Sequence, residues 1–193
     1  MSLRLEKNKF AGKRWGLFGR GATIFSICVA ALLTLVSFSV DDSDVNAKVK
    51  SLFLYQISKY VMWPEEMTPK DFKIAVYGDY PELISELQKM AAEKKRGDQS
   101  YSVENFKKVS DVKDCYMLYF AHGAEGDISK VMEKIKGRNV LVVTDNDGMI
   151  RKGACINFFY EENKQRFEIS NENIKGQGLK ISAKLSSMAR VID

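Results

Sequence analysis

The twenty residues from Gly21 to Val40 contain no charged side chain, and no other feature restricts the chain so strongly. The run includes Ala22-Thr-Ile-Phe-Ser-Ile-Cys-Val-Ala-Ala-Leu-Leu-Thr-Leu-Val-Ser-Phe38; a basic arm precedes it and Asp41-Asp42-Ser43-Asp44 follows it. Basic, apolar and then polar is the order of an export signal. Positive charge stays on the cytoplasmic side, so everything after the run is expected outside the cytoplasm. Two readings of the run stay open. Ser37-Phe-Ser39 and Val45-Asn-Ala47 supply small residues at the spacing of a cleavage site. The run is also as long as the roughly 20 residues a helix needs to cross a bilayer, so it could remain as an anchor. A helix buried within the domain is disfavoured, because no face of the run is polar enough to meet water. Residues 1–47 are therefore a signal peptide or signal anchor, with the basic arm at 1–20 and the apolar run at 21–40. Residues 48–193 form the exported domain.

Charge follows the same division. The formal net charge is +5, which on a folded surface would suggest nucleic acid. Residues 1–20 hold six basic side chains against Glu6, and the rest of the chain holds 24 of each sign. The excess lies wholly in the arm, so a nucleic-acid surface is not expected. The remaining composition, 45% hydrophobic and 28% charged with three prolines, is that of a folded chain. At 193 residues, it is long enough for one domain of ordinary size.

Periodicity then outlines the fold. Val49, Phe53, Ile57 and Tyr60–Val61 recur at helical spacing within residues 45–62, and Trp63-Pro64 ends that helix. Phe72–Tyr77 reads as a buried strand closed by Gly78-Asp79. Pro81 opens a helix to about Glu93, with Leu83, Ile84, Leu87 and Met90 inward. Strands follow at Ser100–Phe106, Tyr116–Phe120 and Val140–Val143, the last two flanking a helix near Asp127–Ile135. Cys155–Tyr160 and Arg166–Ile169, joined by a polar turn at 161–164, read as a β-hairpin. A final helix is expected from about Ser182 to Val191. Strand, helix and strand at these lengths predict a single α/β domain: a mostly parallel sheet with covering helices, closed by a hairpin and a helix.

Chemical motifs are few. Cys28 lies inside the apolar run, without the small-residue context of a lipoprotein site. Cys115 and Cys155 remain, either bridged in an oxidising compartment or free and buried at the starts of strands. The single histidine, His122, ends a predicted strand with no serine or cysteine motif to work with. Asp145-Asn-Asp147-Gly148 opens like a calcium loop but has Ile150 and Ile156 where glycine and glutamate are required, so it reads as a tight turn. No metal site, cofactor or catalytic set is expected. Gly78-Asp79, between a strand and a helix N-terminus, is a candidate anion-binding turn.

Several segments together resemble the YfiR-like family of periplasmic proteins. They are Ala47–Pro64 with its Lys-Tyr and Trp-Pro, Phe72–Asp79, Asp114–Phe120, Val143-Thr-Asp145 with Gly148 and Gly153, Ile156-Asn-Phe158, Arg166-Phe-Glu-Ile169 and Leu179–Leu185. They cover nearly all of residues 46–193, in order. Two departures stand out: the family usually has asparagine where this chain has Ser170, and its relatives carry more cysteines, so their disulfides do not transfer. The resemblance implies a regulator without catalysis that binds and restrains an inner-membrane diguanylate cyclase. It also implies an OmpA-type outer-membrane lipoprotein that can sequester it. A small-molecule-binding sensor subunit for another membrane receptor or histidine kinase is the alternative. An uncharacterised enzyme is the least supported class. A homodimer is compatible with all three.

Aromatic and arginine anchors carry most of the energy of protein interfaces. Tyr55 lies about 160° around the first helix from Phe53, so the two cannot share one core. Tyr55 and Trp63 are thus candidate partner- or ligand-binding residues, together with Arg166 and Glu168 on one face of the hairpin. The competing reading buries Tyr55 under the hairpin and uses Trp63 to plug the end of the domain.

Overall fold

Phe72, Ile74, Ala75, Val76 and Tyr77 are all buried, and a strand buried on both faces must lie inside a sheet with helices on either side. The computed structural model describes residues 42–65 and 71–192 and has this arrangement. The arm and apolar run, with their cleavage and anchoring alternatives, lie outside the described residues.

The elements, in chain order, begin with α1 (Asp42–Tyr60), β1 (Val61–Met62), β2 (Asp71–Tyr77) and α2 (Pro81–Glu93). Next come β3 (Lys95–Arg96), β4 (Gln99–Phe106), β5 (Met117–Phe120), α3 (Ile128–Lys134) and β6 (Leu141–Thr144). The chain closes with β7 (Ile156–Glu161), β8 (Lys164–Ile169), α4 (Asn171–Gly176), β9 (Lys180–Ile181), α5 (Ala183–Met188) and β10 (Arg190–Val191). Eight strands form one sheet in the order β10-β8-β7-β6-β5-β2-β4-β3. The pairs from β4 through β2, β5 and β6 to β7 are parallel; β7–β8 and β3–β4 are antiparallel. Chain order reverses between β2 and β5, since β2 leads outward to β4 on one side and β5 leads to β6 and β7 on the other.

Alternation along the strands divides the core in two. Ile74, Met117, Tyr119, Val143 and Phe158 pack with Leu54, Ile57, Leu83 and Leu87 of α1 and α2. Ala75, Leu118, Phe120 and Val142 pack with Ile128, Val131 and Ile135 at α3. The result is a three-layer α/β/α domain, the fold class predicted. Pro81 sits in the first turn of α2, where its missing N–H costs nothing. The hairpin turns through Glu162 and Asn163, with φ of 50° and 58°. Two successive positive φ values suit the right-handed twist of a two-residue hairpin.

Three local expectations change. The stripe buried on α1 is Ala47, Lys50, Ser51, Leu54, Ile57 and Ser58, continued by Val61 of β1, while Val49, Phe53 and Tyr60 are only half-buried. The buried face is rotated because it contains three polar side chains, which apolar periodicity cannot register. The final helix is shorter than expected: Ser182 caps it by accepting from the Leu185 N–H, and the backbone turns extended at Ala189. Arg190 and Val191 then pair in parallel with β8. Other elements had no counterpart in the sequence reading: the short edge strand β3, the antiparallel β1–β9 pair with Val61 opposite Ile181, and α4, whose N-cap is Ser170, its side chain accepting from the Asn173 N–H at 3.1 Å. Serine and asparagine are both strong N-caps, so Ser170 can serve where relatives carry asparagine.

Candidate partner-binding site

Leu52 and Met188, 49% and 48% exposed, line one groove, so their exposure forms a shared apolar surface and not two isolated positions. The groove runs between α1 and α5 over Phe167 of β8, encloses about 230 Å³, and is lined otherwise by Phe53, Ile57, Tyr60 and Leu185, with Gln56 the one polar side chain. Its walls arise from two different periodicities. On α1, Leu52, Phe53, Gln56, Ile57 and Tyr60 share a helical face next to the buried stripe. On β8, alternation turns Phe167 toward α1 while Arg166 and Glu168 face the other way. Phe53 packs edge-on against Phe158 and Phe167, with ring centroids 5.7 and 6.0 Å apart, which stiffens the floor.

A polar seam fixes α1 in place. Lys50, 4% exposed, is ion-paired with Asp145 just after β6. Its ammonium also lies 5.1 Å from the Tyr80 ring centroid and 5.9 Å from that of Tyr119. Burial, reinforced by the Asp145 charge, pushes the Tyr80 phenol up to about 12 and the Tyr119 phenol up as well. Further along the helix, the Ser58 and Tyr101 hydroxyls meet at 2.6 Å, and Arg96 donates to the carbonyls of Ser58 and Val61 at 2.9 and 3.2 Å. The groove wall is therefore held from behind by hydrogen bonds as well as by apolar packing.

The structure separates the four candidate anchors. Trp63 stacks edge-on against Phe72 and Tyr116, at 5.0 and 5.8 Å, and its indole N–H donates to the Asn139 carbonyl at 2.9 Å. It plugs the end of the domain. Tyr55 is half-buried, edge-on to Tyr101 at 5.8 Å, and Lys59 lies over its ring at 4.9 Å. Arg166 and Glu168 share the opposite sheet face. Glu168 accepts from Asn157 Nδ2 at 3.0 Å, and Arg166 lies 3.9 Å from Glu161. Arg190 joins them, 2.8 Å from Glu161 and with its guanidinium 4.0 Å from the Phe159 ring centroid. None of the four lines the groove.

The remaining candidates have local explanations. The Gly78 N–H donates to the Phe106 carbonyl at 2.9 Å, and Ala121 and Ala124 crowd its α-carbon, so that a Cβ would lie 3.1 and 2.9 Å from their methyls. With Asp79 exposed beside it, the turn presents packing and negative charge rather than an open cradle. Cys115 and Cys155 are free and buried in different core clusters, on opposite sides of the sheet. Burial pushes both thiols up to about 12. His122 is exposed, with Nδ1 2.6 Å from Asn146 Oδ1 and 3.5 Å from Glu125. The loop at Asp145 serves the Lys50 pair, and among the described residues no cluster of potential ligands could hold a metal.

The described residues thus form an α/β/α domain with a held helix and an open apolar groove. Residues 47–190 match the YfiR/HmsC-like family. The chain belongs to that family. No curated protein matches it significantly. YfiR/HmsC-like domains are periplasmic regulators, and among the described residues no helix is long and apolar enough to cross a membrane. Within this YfiR/HmsC-like domain, the groove residues escaped sequence reading because Leu52 and Gln56 look like ordinary positions beside a core stripe, while Met188 reads as a packing residue of the final helix yet is 48% exposed. Only the meeting of α1 with α5, more than 120 residues later in the chain, turns them into a surface.

Proposed function

We propose that the protein binds and restrains the extracytoplasmic part of an inner-membrane signalling protein, a diguanylate cyclase by family resemblance, through the groove between α1 and α5. The observation that carries this reading is the exposure of Leu52 and Met188 over a pre-formed apolar floor. Such residues are kept on a surface at a cost in solubility unless a partner covers them. Well-packed apolar anchors in a central pocket are also where binding energy concentrates. An OmpA-type outer-membrane lipoprotein competing for the same protein would release the signalling partner. The test is co-purification from membranes with a photo-reactive side chain at Leu52. A cross-link to an integral-membrane signalling protein that disappears when the label sits at exposed Lys130 supports the reading; no such cross-link from Leu52 sinks it.

A second cleft favours a sensor reading. Val45, Asn46, Val49, Tyr160, Asn163 and Gln165 surround about 550 Å³ between the start of α1 and the hairpin. Its lining is mixed: the Tyr160 hydroxyl donates to Asn46 Oδ1 at 2.7 Å, and Gln165 Oε1 is buried without a hydrogen-bond partner among the described residues. Polar groups converging beside the apolar side chains of Val45 and Val49 suit a small molecule. Thermal-shift screening that finds a ligand, with the shift lost in Gln165→Leu, would establish a sensor; a screen without stabilising ligands leaves the regulator reading alone.

A further inference from the structure

None of the residues lining the groove is a carboxylate; the acidic residues of α1, Asp42 and Asp44, lie at its start, two turns or more before Leu52. Residues 45–64 hold Lys48, Lys50 and Lys59, residues 173–192 hold Lys175, Lys180, Lys184 and Arg190, and neither stretch contains Asp or Glu. Beyond the N-terminal arm the chain is balanced at 24 charges of each sign, so this is a local segregation of charge. Lys50 and Arg190 are paired, with Asp145 and Glu161. Lys48, Lys59, Lys180 and Lys184 are exposed and make no ion pair among the described residues. Three of them lie one helical turn from residues that line the groove. Lys48 lies one turn before Leu52 on the same ridge of α1, and Lys59 lies one turn beyond Gln56. Lys184 stands one turn before Met188 and places its ammonium 5.2 Å from the ring centroid of groove-lining Tyr60. Lys180 is opposite Met62, itself 50% exposed, in the β1–β9 pair.

We infer that the groove takes a bulky apolar side chain from a partner segment whose flanking residues are acidic. This rests on the regulator reading for the identity of the groove and adds the chemistry of what enters it. An apolar centre with a rim of one charge sign divides the work of recognition. The centre supplies affinity, while the rim steers encounter and rejects segments of the wrong sign. Exposed lysines act over a screening length of about 8 Å at physiological salt, so the contribution of the rim must fall as salt rises. A groove of about 230 Å³ has room for one or two large side chains, such as those a partner helix presents one turn apart.

The test uses protein purified from cells expressing the full-length chain and two fluorescent 18-residue amphipathic peptides with the same leucine face. One peptide carries glutamates beside that face, the other lysines. Anisotropy titration should show the glutamate peptide binding at least tenfold more tightly, with the advantage shrinking as salt is raised. The variant K48E/K59E/K184E should invert the preference, and L52D with M188D should abolish binding of both peptides. Circular dichroism checks the fold; if the aspartate variants do not fold, the lysine reversals, which change exposed side chains only, carry the test. Equal binding of the two peptides, or binding of neither, overturns the inference. So does a dimer in sedimentation that disperses in L52D, or binding to phosphatidylglycerol vesicles that the glutamate peptide does not compete. If K48E/K59E/K184E still cross-links the same membrane signalling protein through residue 52, the regulator reading stands and only the acidic chemistry fails.

Discussion

Lys50 and Asp145, 95 positions apart, form the ion pair that ties the first helix to the end of the central strand β6. The side chains are 5% and 15% exposed, so neither charge is well solvated without the other. Removing one partner strands a buried charge, whereas replacing both by apolar groups removes the demand altogether. Lys50→Met and Asp145→Leu should each cost about 3–5 kcal/mol of unfolding free energy, and the double variant should recover most of that loss. Urea denaturation of the four proteins checks this, and additive losses would show that the pair is not coupled.

The two thiols should be inert in the native protein. Both are buried, and both are pushed up to about 12, so almost no thiolate exists near neutral pH. Ellman's reagent at pH 8 should label neither in the folded state and both in guanidinium. A reducing agent should leave the thermal midpoint unchanged. A midpoint that drops on reduction would mean that Cys115 and Cys155 are bridged.

The same groups set an alkaline limit. Cys115, Cys155 and Tyr80 each have a folded-state pKa of about 12, above their ordinary values of 9.0 for the thiols and 10.0 for the phenol. In each case burial disfavours the charged form, so the unfolded chain releases its proton first. Stability from these groups is complete below about pH 9 and is lost progressively as pH rises toward 12. Denaturant midpoints measured from pH 8 to 11 should fall steadily, with net proton release on unfolding. A flat profile would contradict the burial of these groups.

Trp63 and Arg166 should respond in opposite ways. Trp63→Ala removes two aromatic contacts and a hydrogen bond from the end of the core and should cost about 3–5 kcal/mol. Arg166 is exposed beside Glu161, and Arg166→Ala should change stability by no more than about 0.5 kcal/mol. Thermal denaturation compares the two directly.

Gly78 is the tightest backbone position at the sheet's chain reversal. Its φ of 100° is costly for a residue with a Cβ, and that Cβ would lie 2.9 Å from the Ala124 methyl. Gly78→Ala should destabilise by about 1–3 kcal/mol. Gly123→Ala has positive φ but open space around it, and should cost less. The difference in melting temperature between the two variants measures the steric part.

Much of the fold could be read from the sequence because its determinants are local. Apolar runs at Phe72–Tyr77, broken only by Lys73, and at Val140–Val143 predict doubly covered strands, Pro81 opens a helix, and the polar turn at 161–164 joins a hairpin; each signal spans fewer than ten residues. The family was also legible in the order and spacing of its segments, including the one altered at Ser170, where a hydroxyl performs the capping. Tertiary structure alone decided which face of α1 is buried. Lys50, Ser51 and Ser58 read as solvent-facing until Asp145 and Tyr101 arrive from distant strands to satisfy Lys50 and Ser58. It alone decided that the last residues form an edge strand, because β10 exists only by pairing with β8. The groove belongs to the same class. Leu52 and Met188 come to line one groove through packing across the whole domain, and no periodicity within either helix records where the other will lie.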